Sequence, residues 1–201
     1  VCLSDGLARI ERAGSDSRIA GIVLHIKSPS IGRAKQNEFR QAIKRVRAKG
    51  KRVIAQMDSA SSTGLLIAVA CDEIVMPESA VVMLIGIRVE ITFYKNLFDK
   101  LSIKPQMLRV GEFKSAAEPY SRTSMSEPFR REMNEILDDY YGQMVDTLAT
   151  ARKLDRKKIL AAIDSGPHTA PIAKKLGPID HIADHNEHPA IIRAREKHRT
   201  E

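Results

Sequence analysis

With 201 residues, 43% of them hydrophobic and 29% charged, the chain is long enough to bury one sizeable core, as one domain or one domain plus an appendage. No run approaches the roughly 18 consecutive apolar residues of a membrane span, and no basic, apolar, small-residue succession opens the sequence. The net charge of +8 would suit an acidic partner, but Lys and Arg are strewn along helix-like stretches and concentrated only in 45–52 and 193–200, with 4% aromatic residues and no interleaved rings. A solvated surface is expected, and no nucleic-acid site. Val1 in place of Met reads as the start of an excised or processed chain, from which a signal or anchor could have been removed.

In chain order, DGLARIERAG suggests a short helix with Leu7 and Ile10 on one face, and IAGIVLHI (19–26) is a continuous β-branched run of the kind found in buried parallel strands. Phe39, Ile43 and Val46 recur at spacings of four and three within a charged segment, which predicts an amphipathic helix. RVIAQM (52–57) reads as the next strand, SASSTG (59–64) as a turn, and LLIAVACD as an apolar helix followed by a short EIVM strand before Pro77. The apolar VVMLIGI (81–87) continues the pattern. TFYKNLFDKL (92–101) places Phe93, Leu97 and Leu101 on one helical face, and PQMLRV (105–110) is strand-like. Helical patterns fill 127–153 and 156–164, and APIAKKLGPIDHIA forms a last unit with Gly177 as a helix stop. Strands alternating with helices predict an α/β fold with a largely parallel sheet and flanking helices. The polar tail 185–201 reads as a linker to a further domain, leaving 1–184 as the folded domain.

Cys2 and Cys71 form neither a disulfide framework nor a zinc site, and Cys71, in an apolar run, is expected to be buried. His181, His185, Glu187 and His188 stand close in sequence, but Ala183, Asp184 and Asn186 between them look like a strand end entering a linker, so no metal site is expected. His25 is expected to be a core or interface residue. Tyr140 and Tyr141, with Met144 and Leu148 at helical intervals, are expected to pack.

The segments VIAQMDSASSTGLLIAVACDEIVMPES, MLIGIRVEITFYKNLFDKLSI, RVGEFKSAAEPYSRTSMS and GPHTAPIAKKLGPIDHI together resemble the signal peptide peptidase A (protease IV) family of the peptidase S49 type, over residues 19–184. The likeness is greatest to the amino-terminal half of the long, tandem form. It implies a Clp-protease or crotonase-like superfold, homo-oligomers or a tandem partner domain, no cofactor or metal, and hydrolysis of signal peptides or unfolded peptides by a Ser nucleophile with a Lys base. A location in the bacterial cell envelope, extracytoplasmic and membrane-associated through segments outside this sequence, is implied in the same way.

The resemblance places the general base at Lys114, within RVGEFKSAAEP, and in such families the two catalytic residues come from neighbouring domains. A serine hydroxyl is a weak nucleophile, and a neutral amine in hydrogen-bond reach takes its proton during attack. A lysine starting near about 10.4 must be brought toward roughly 7–8 to serve at neutral pH. Small Ser115, Ala116 and Ala117 would permit close packing beside it; the alternative is an ordinary surface lysine.

Ser62 is the local candidate nucleophile, in the register that single-domain relatives use, ten residues before Asp72. A serine at a helix entrance would also sit near backbone N–H groups able to meet an oxyanion. Its surroundings differ from those relatives: Thr63 follows where they have glycine, Leu65 and Leu66 replace an aromatic pair, and Ser28, Pro29, Ser30, Ile31 stand where they show Ser-Pro-Gly-Gly, with Gly32 displaced by one. Ser62 is therefore either a nucleophile or a helix cap. Two other readings remain open, a non-catalytic scaffold half that orders an oligomer and a crotonase-type acyl-CoA enzyme, because one superfold hosts many chemistries.

Overall fold

IVLH and VIAQ, two β-branched runs, lie side by side as parallel strands in the computed structural model, which describes residues 3–184 apart from 109, 112 and 113. The first half of the chain supplies α1 (Leu3–Ser15), β1 (Gly21–His25), α2 (Arg33–Ala48), β2 (Arg52–Gln56), β3 (Ala60–Ser61), α3 (Ser62–Ala68), β4 (Glu73–Met76) and β5 (Val81–Met83). It continues with α4 (Lys95–Lys100), a 3-10 turn (Ser115–Ala117), α5 (Glu118–Ser121), α6 (Glu127–Arg152), α7 (Arg156–Asp164), β6 (His168–Thr169), α8 (Ala170–Leu176) and β7 (His181–Ile182). Two compact units result: residues up to Ile85 with those from Met144 onward, and Gly86–Gln143, so that α6 contributes to both.

In the first unit a four-stranded sheet in the order β1-β2-β4-β7 is parallel throughout. β2 is central, and Val53, Ile54, Ala55 and Gln56 are all buried, which is why its sequence reads as continuously apolar rather than alternating. β1 is an edge strand and only half-buried; His25, expected in the core or at an interface, is not in the core but exposed at the strand end, because an edge strand leaves one side open to water. Ala42, Ile43 and Val46 bury the apolar stripe of α2. A second, three-stranded sheet has the order β3-β5-β6, with β3 and β5 parallel and β5 and β6 antiparallel.

Polar side chains close the connections. Asp72 accepts from the Val53 amide (2.8 Å) and from Arg47 Nε (2.7 Å), while Arg47 also donates to the Ala70 carbonyl (2.7 Å). These bonds hold 69–72 as a turn, so the helix expected to run through LLIAVACD stops at Ala68. Cys71 in that turn is buried, as expected, and burial pushes its thiol up to about 12. Asp180, before β7, binds Arg152 through both oxygens (2.5 and 3.0 Å) and accepts from the Ile74 amide (2.8 Å). Gly177 ends α8 at φ +97°, the stop read from the sequence.

The second unit departs more from expectation. TFYKNLFDKL is helical only over Lys95–Lys100, and PQMLRV is not a strand over its described residues: 105–108 and 110 are irregular, with Leu108 and Val110 fully or nearly exposed. Strand propensity expresses packing against a partner, and this segment pairs with no strand among the described residues. In the same unit Tyr94, Phe98 and Tyr120 stack, with ring centroids 6.0–6.4 Å apart. Tyr140 is exposed and Tyr141 half-buried, whereas Met144 and Leu148 are buried as expected.

Candidate active site

Three consecutive residues, Ala60, Ser61 and Ser62, change from strand to helix, and the two serines divide the work. Ser61 is extended (φ −73°, ψ 160°) and its side chain accepts from the Gly64 amide at 3.1 Å, which makes it the N-cap of α3. Ser62 is the first helical residue, half-buried, and its Oγ donates to the Met83 carbonyl at 2.8 Å. The pairing of Ser61 with Met83 in the β3-β5 ladder brings that carbonyl into reach. Of the two readings of Ser62, nucleophile or cap, the cap falls one residue earlier, at Ser61, and Ser62 is a bonded serine at the helix entrance.

Beside it lies a groove of about 420 Å³ lined by Ser28, Pro29, Ser30, Ile31, Gly32, Ser61 and Thr63. Gly64 packs closely there: a Cβ would stand 3.0 Å from Met57 Cε and 3.4 Å from Pro29 Cδ, so a larger residue would push the Met57 tip aside. Ser28 adopts φ +38°, a left-handed conformation that is costly for a residue other than glycine and gathers at functional segments. Ser30 and Ile31 show no positive φ, so the backbone here takes its irregular turn at Ser28 and not at the two positions where the family resemblance would expect glycines.

Lys114 belongs to the second unit and Ser62 to the first. Lys114 (φ −90°, ψ 71°) is exposed and immediately precedes the Ser115–Ala117 turn. The residues after it are tightly held. Ser115 is buried and donates to Glu132 Oε2 at 3.0 Å; Glu118, 1% exposed, accepts from the Ser126 amide (2.8 Å) and hydroxyl (2.5 Å); the Pro119 carbonyl accepts from the Tyr94 amide (2.7 Å). Sequence reading missed Glu118 and Ser126. The available signal was a serine just ahead of the long helical pattern, a candidate cap whose partner stands eight residues upstream.

Of the histidine and glutamate cluster, only His181 is described; it lies on β7 with Nε2 3.8 Å from Glu73, while His185, Glu187 and His188 lie outside the described residues. Among the described residues no group of three His, Cys, Asp or Glu is placed to hold a metal ion, and no helix is long and apolar enough to cross a membrane.

Known proteins with similar sequence or structure narrow the chemistry. Peptidase family S49 matches residues 45–199. The chain is 30% identical over 184 residues to the chloroplastic serine protease SPPA of Arabidopsis thaliana, covering 92% of this chain and 27% of that protein. It is 30% identical over 157 residues to Protease 4 of Haemophilus influenzae, covering 78% of this chain and 26% of that protein. The chain thus spans about a quarter of the length of these relatives. Among solved structures, a membrane-bound stomatin-specific protease superposes with a TM-score of 0.55 at 16% identity, over 91% of this chain and 74% of that one. An enoyl-CoA hydratase/isomerase family member gives 0.53 at 15% identity, over 98% and 65%. These likenesses show the Clp-protease/crotonase-like α/β superfold, which peptidases and acyl-CoA enzymes share. The sequence match decides between them: the chain belongs to peptidase family S49.

Proposed function

We propose that this chain is the base-bearing half of a serine–lysine endopeptidase, with Lys114 as general base and the nucleophilic serine supplied by a neighbouring domain or subunit. The observation that carries the reading is the contrast between the two candidates. The Ser62 hydroxyl is committed to the Met83 carbonyl, whereas Lys114 is exposed on a turn braced by buried polar groups. To attack, Ser62 would first have to surrender a hydrogen bond worth about 1 kcal/mol.

In the proposed reaction the neutral Lys114 amine accepts the proton of the partner serine as its oxygen bonds to the scissile carbonyl carbon. The tetrahedral oxyanion collapses, the C–N bond breaks, and the ammonium returns the proton to the leaving amine. Water then attacks the acyl-serine with the same amine as base, releasing the carboxylic acid and the free serine.

Similarity to a putative signal peptide peptidase SppA of Enterococcus faecium supports signal peptides or other unfolded peptides as substrates. The bacterial relatives support a cell-envelope location, with membrane attachment through segments outside this sequence, whereas the Arabidopsis relative is chloroplastic. We further propose that 1–184 form one domain of a tandem or oligomeric protein and 185–201 a linker; the family match runs on to residue 199, and 185–201 lie outside the described residues. A non-catalytic scaffold half is the second reading, favoured by the same engaged Ser62 hydroxyl; a crotonase-type acyl-CoA activity has only the shared superfold behind it.

The test is hydrolysis of an unfolded peptide by the full-length protein in its native assembly. Lys114→Ala is expected to abolish turnover and Ser62→Ala to leave it within about twofold, since a bonded N1 serine contributes chiefly to stability. Retained activity in Lys114→Ala would favour the scaffold reading, and loss in Ser62→Ala would make Ser62 the nucleophile.

A further inference from the structure

In the second unit, from Gly86 to Gln143, three of the described residues are buried: Ser115, Glu118 and Phe129. Two of the three are polar, and they follow Lys114 by one and by four residues. A buried carboxylate is costly to desolvate unless donors meet it, so its place in a unit with so little interior calls for a physical reason.

The reason lies in how α6 begins. Ser126 directly precedes the helix; its carbonyl accepts from the Arg130 amide (2.9 Å) and its hydroxyl accepts from the Phe129 amide (3.3 Å), so it is the N-cap. A capping box ordinarily has a Glu or Gln three residues inside the helix reaching back to the N-cap amide. That position is Phe129, which cannot. Glu118 performs the task from outside the helix, taking the Ser126 amide on one oxygen at 2.8 Å and the Ser126 hydroxyl on the other at 2.5 Å. Its negative charge also faces the positive end of a 26-residue helix, with Arg122 Nε 3.8 Å away. Ser115 adds a second tie six residues further along, to Glu132.

We propose that Glu118 is the positioning residue for the Lys114 base, fixing the Lys114 turn to the start of α6 so that the amine is delivered in one geometry. This rests on the reading of Lys114 as general base. Lys114 itself is exposed, and the restraints found on its turn among the described residues are those of Ser115 and Glu118, which follow it. Proton transfer demands placement to a fraction of an ångström, and a displacement of about 1 Å costs on the order of 10²-fold in rate.

The experiment compares kcat and KM for peptide hydrolysis in the full-length assembly for Lys114→Ala, Glu118→Gln and Ser126→Gly, with thermal unfolding recorded for each. Glycine is a tolerated N-cap, so Ser126→Gly removes the hydroxyl bond to Glu118 while the helix start survives. Glu118→Gln is expected to lower kcat on the order of 10²-fold and Ser126→Gly by about tenfold, with KM within about twofold of wild type in both. Wild-type kcat in both variants, beside an inactive Lys114→Ala, overturns the positioning role and leaves the base standing. Activity in Lys114→Ala removes the base and this proposal together. A parallel loss of kcat, KM and unfolding temperature assigns Glu118 to general stability and overturns the proposal; if Glu118→Gln does not fold, Ser126→Gly decides alone.

Discussion

Ser61 and Ser62 show how adjacent identical residues acquire separate roles. Ser61 caps α3 and Ser62 bonds across to β5, so their removal should have different signatures. Ser61→Ala is expected to cost about 1 kcal/mol in chemical denaturation, the usual worth of an N-cap. Register alone made Ser62 legible as a candidate, but not the one-residue offset of the cap, because which of two serines turns extended depends on the β3-β5 pairing. Cys71 makes a prediction of another kind. Burial raises its thiol to about 12 from an ordinary 9.0, so above pH 9 the unfolded chain holds fewer protons than the folded one. Stability from this group is complete below pH 9 and is lost as pH rises toward 12. The native protein should therefore resist alkylation at Cys71 at pH 8 by mass spectrometry, and label readily in denaturant; labelling at equal rates in both would contradict the burial.

At the scale of elements, α8 and its stop were legible because a left-handed residue after a helix leaves a glycine in the sequence. Gly177→Ala is expected to destabilise by about 1–2 kcal/mol through its φ of +97°, with further crowding from Leu154 Cδ1 2.9 Å from the new methyl, measured as a shift in urea midpoint. Three strands of the parallel sheet, β1, β2 and β4, were equally readable as short apolar runs, whereas β7, two residues long, was not. PQMLRV carried a similar local signal and is no strand over its described residues, since a ladder partner is a property of the fold and not of the segment. LLIAVACD was overextended as a helix for a related reason: Arg47 and Asp72, distant in sequence, meet at its end and hold the turn. The Glu118 capping bond is the same case at the candidate site, a contact across eight residues that no periodicity announces.

For the whole molecule, membership of peptidase family S49 supports serine-peptidase chemistry, and the proposed site is one finished by another domain. α4 buries none of its residues, and Leu97 and Leu101 are 50% and 59% exposed. Apolar side chains so placed suit an interface with a homologous domain or second copy. Leu97→Asp combined with Leu101→Asp is expected to lower the assembly mass in sedimentation without loss of helical signal; an unchanged mass would place the interface elsewhere. The fold class could be reached from sequence because it rests on segments that are contiguous in the chain, and the proposal of Lys114 as base rests on one such segment. A serine supplied by another domain, as proposed, would leave no such trace in this sequence. The account is therefore tested most directly by treating the full-length assembly with a fluorophosphonate and mapping the modified serine by mass spectrometry. It predicts a label on a serine outside residues 1–201 that disappears in Lys114→Ala; a label on Ser62 would contradict it.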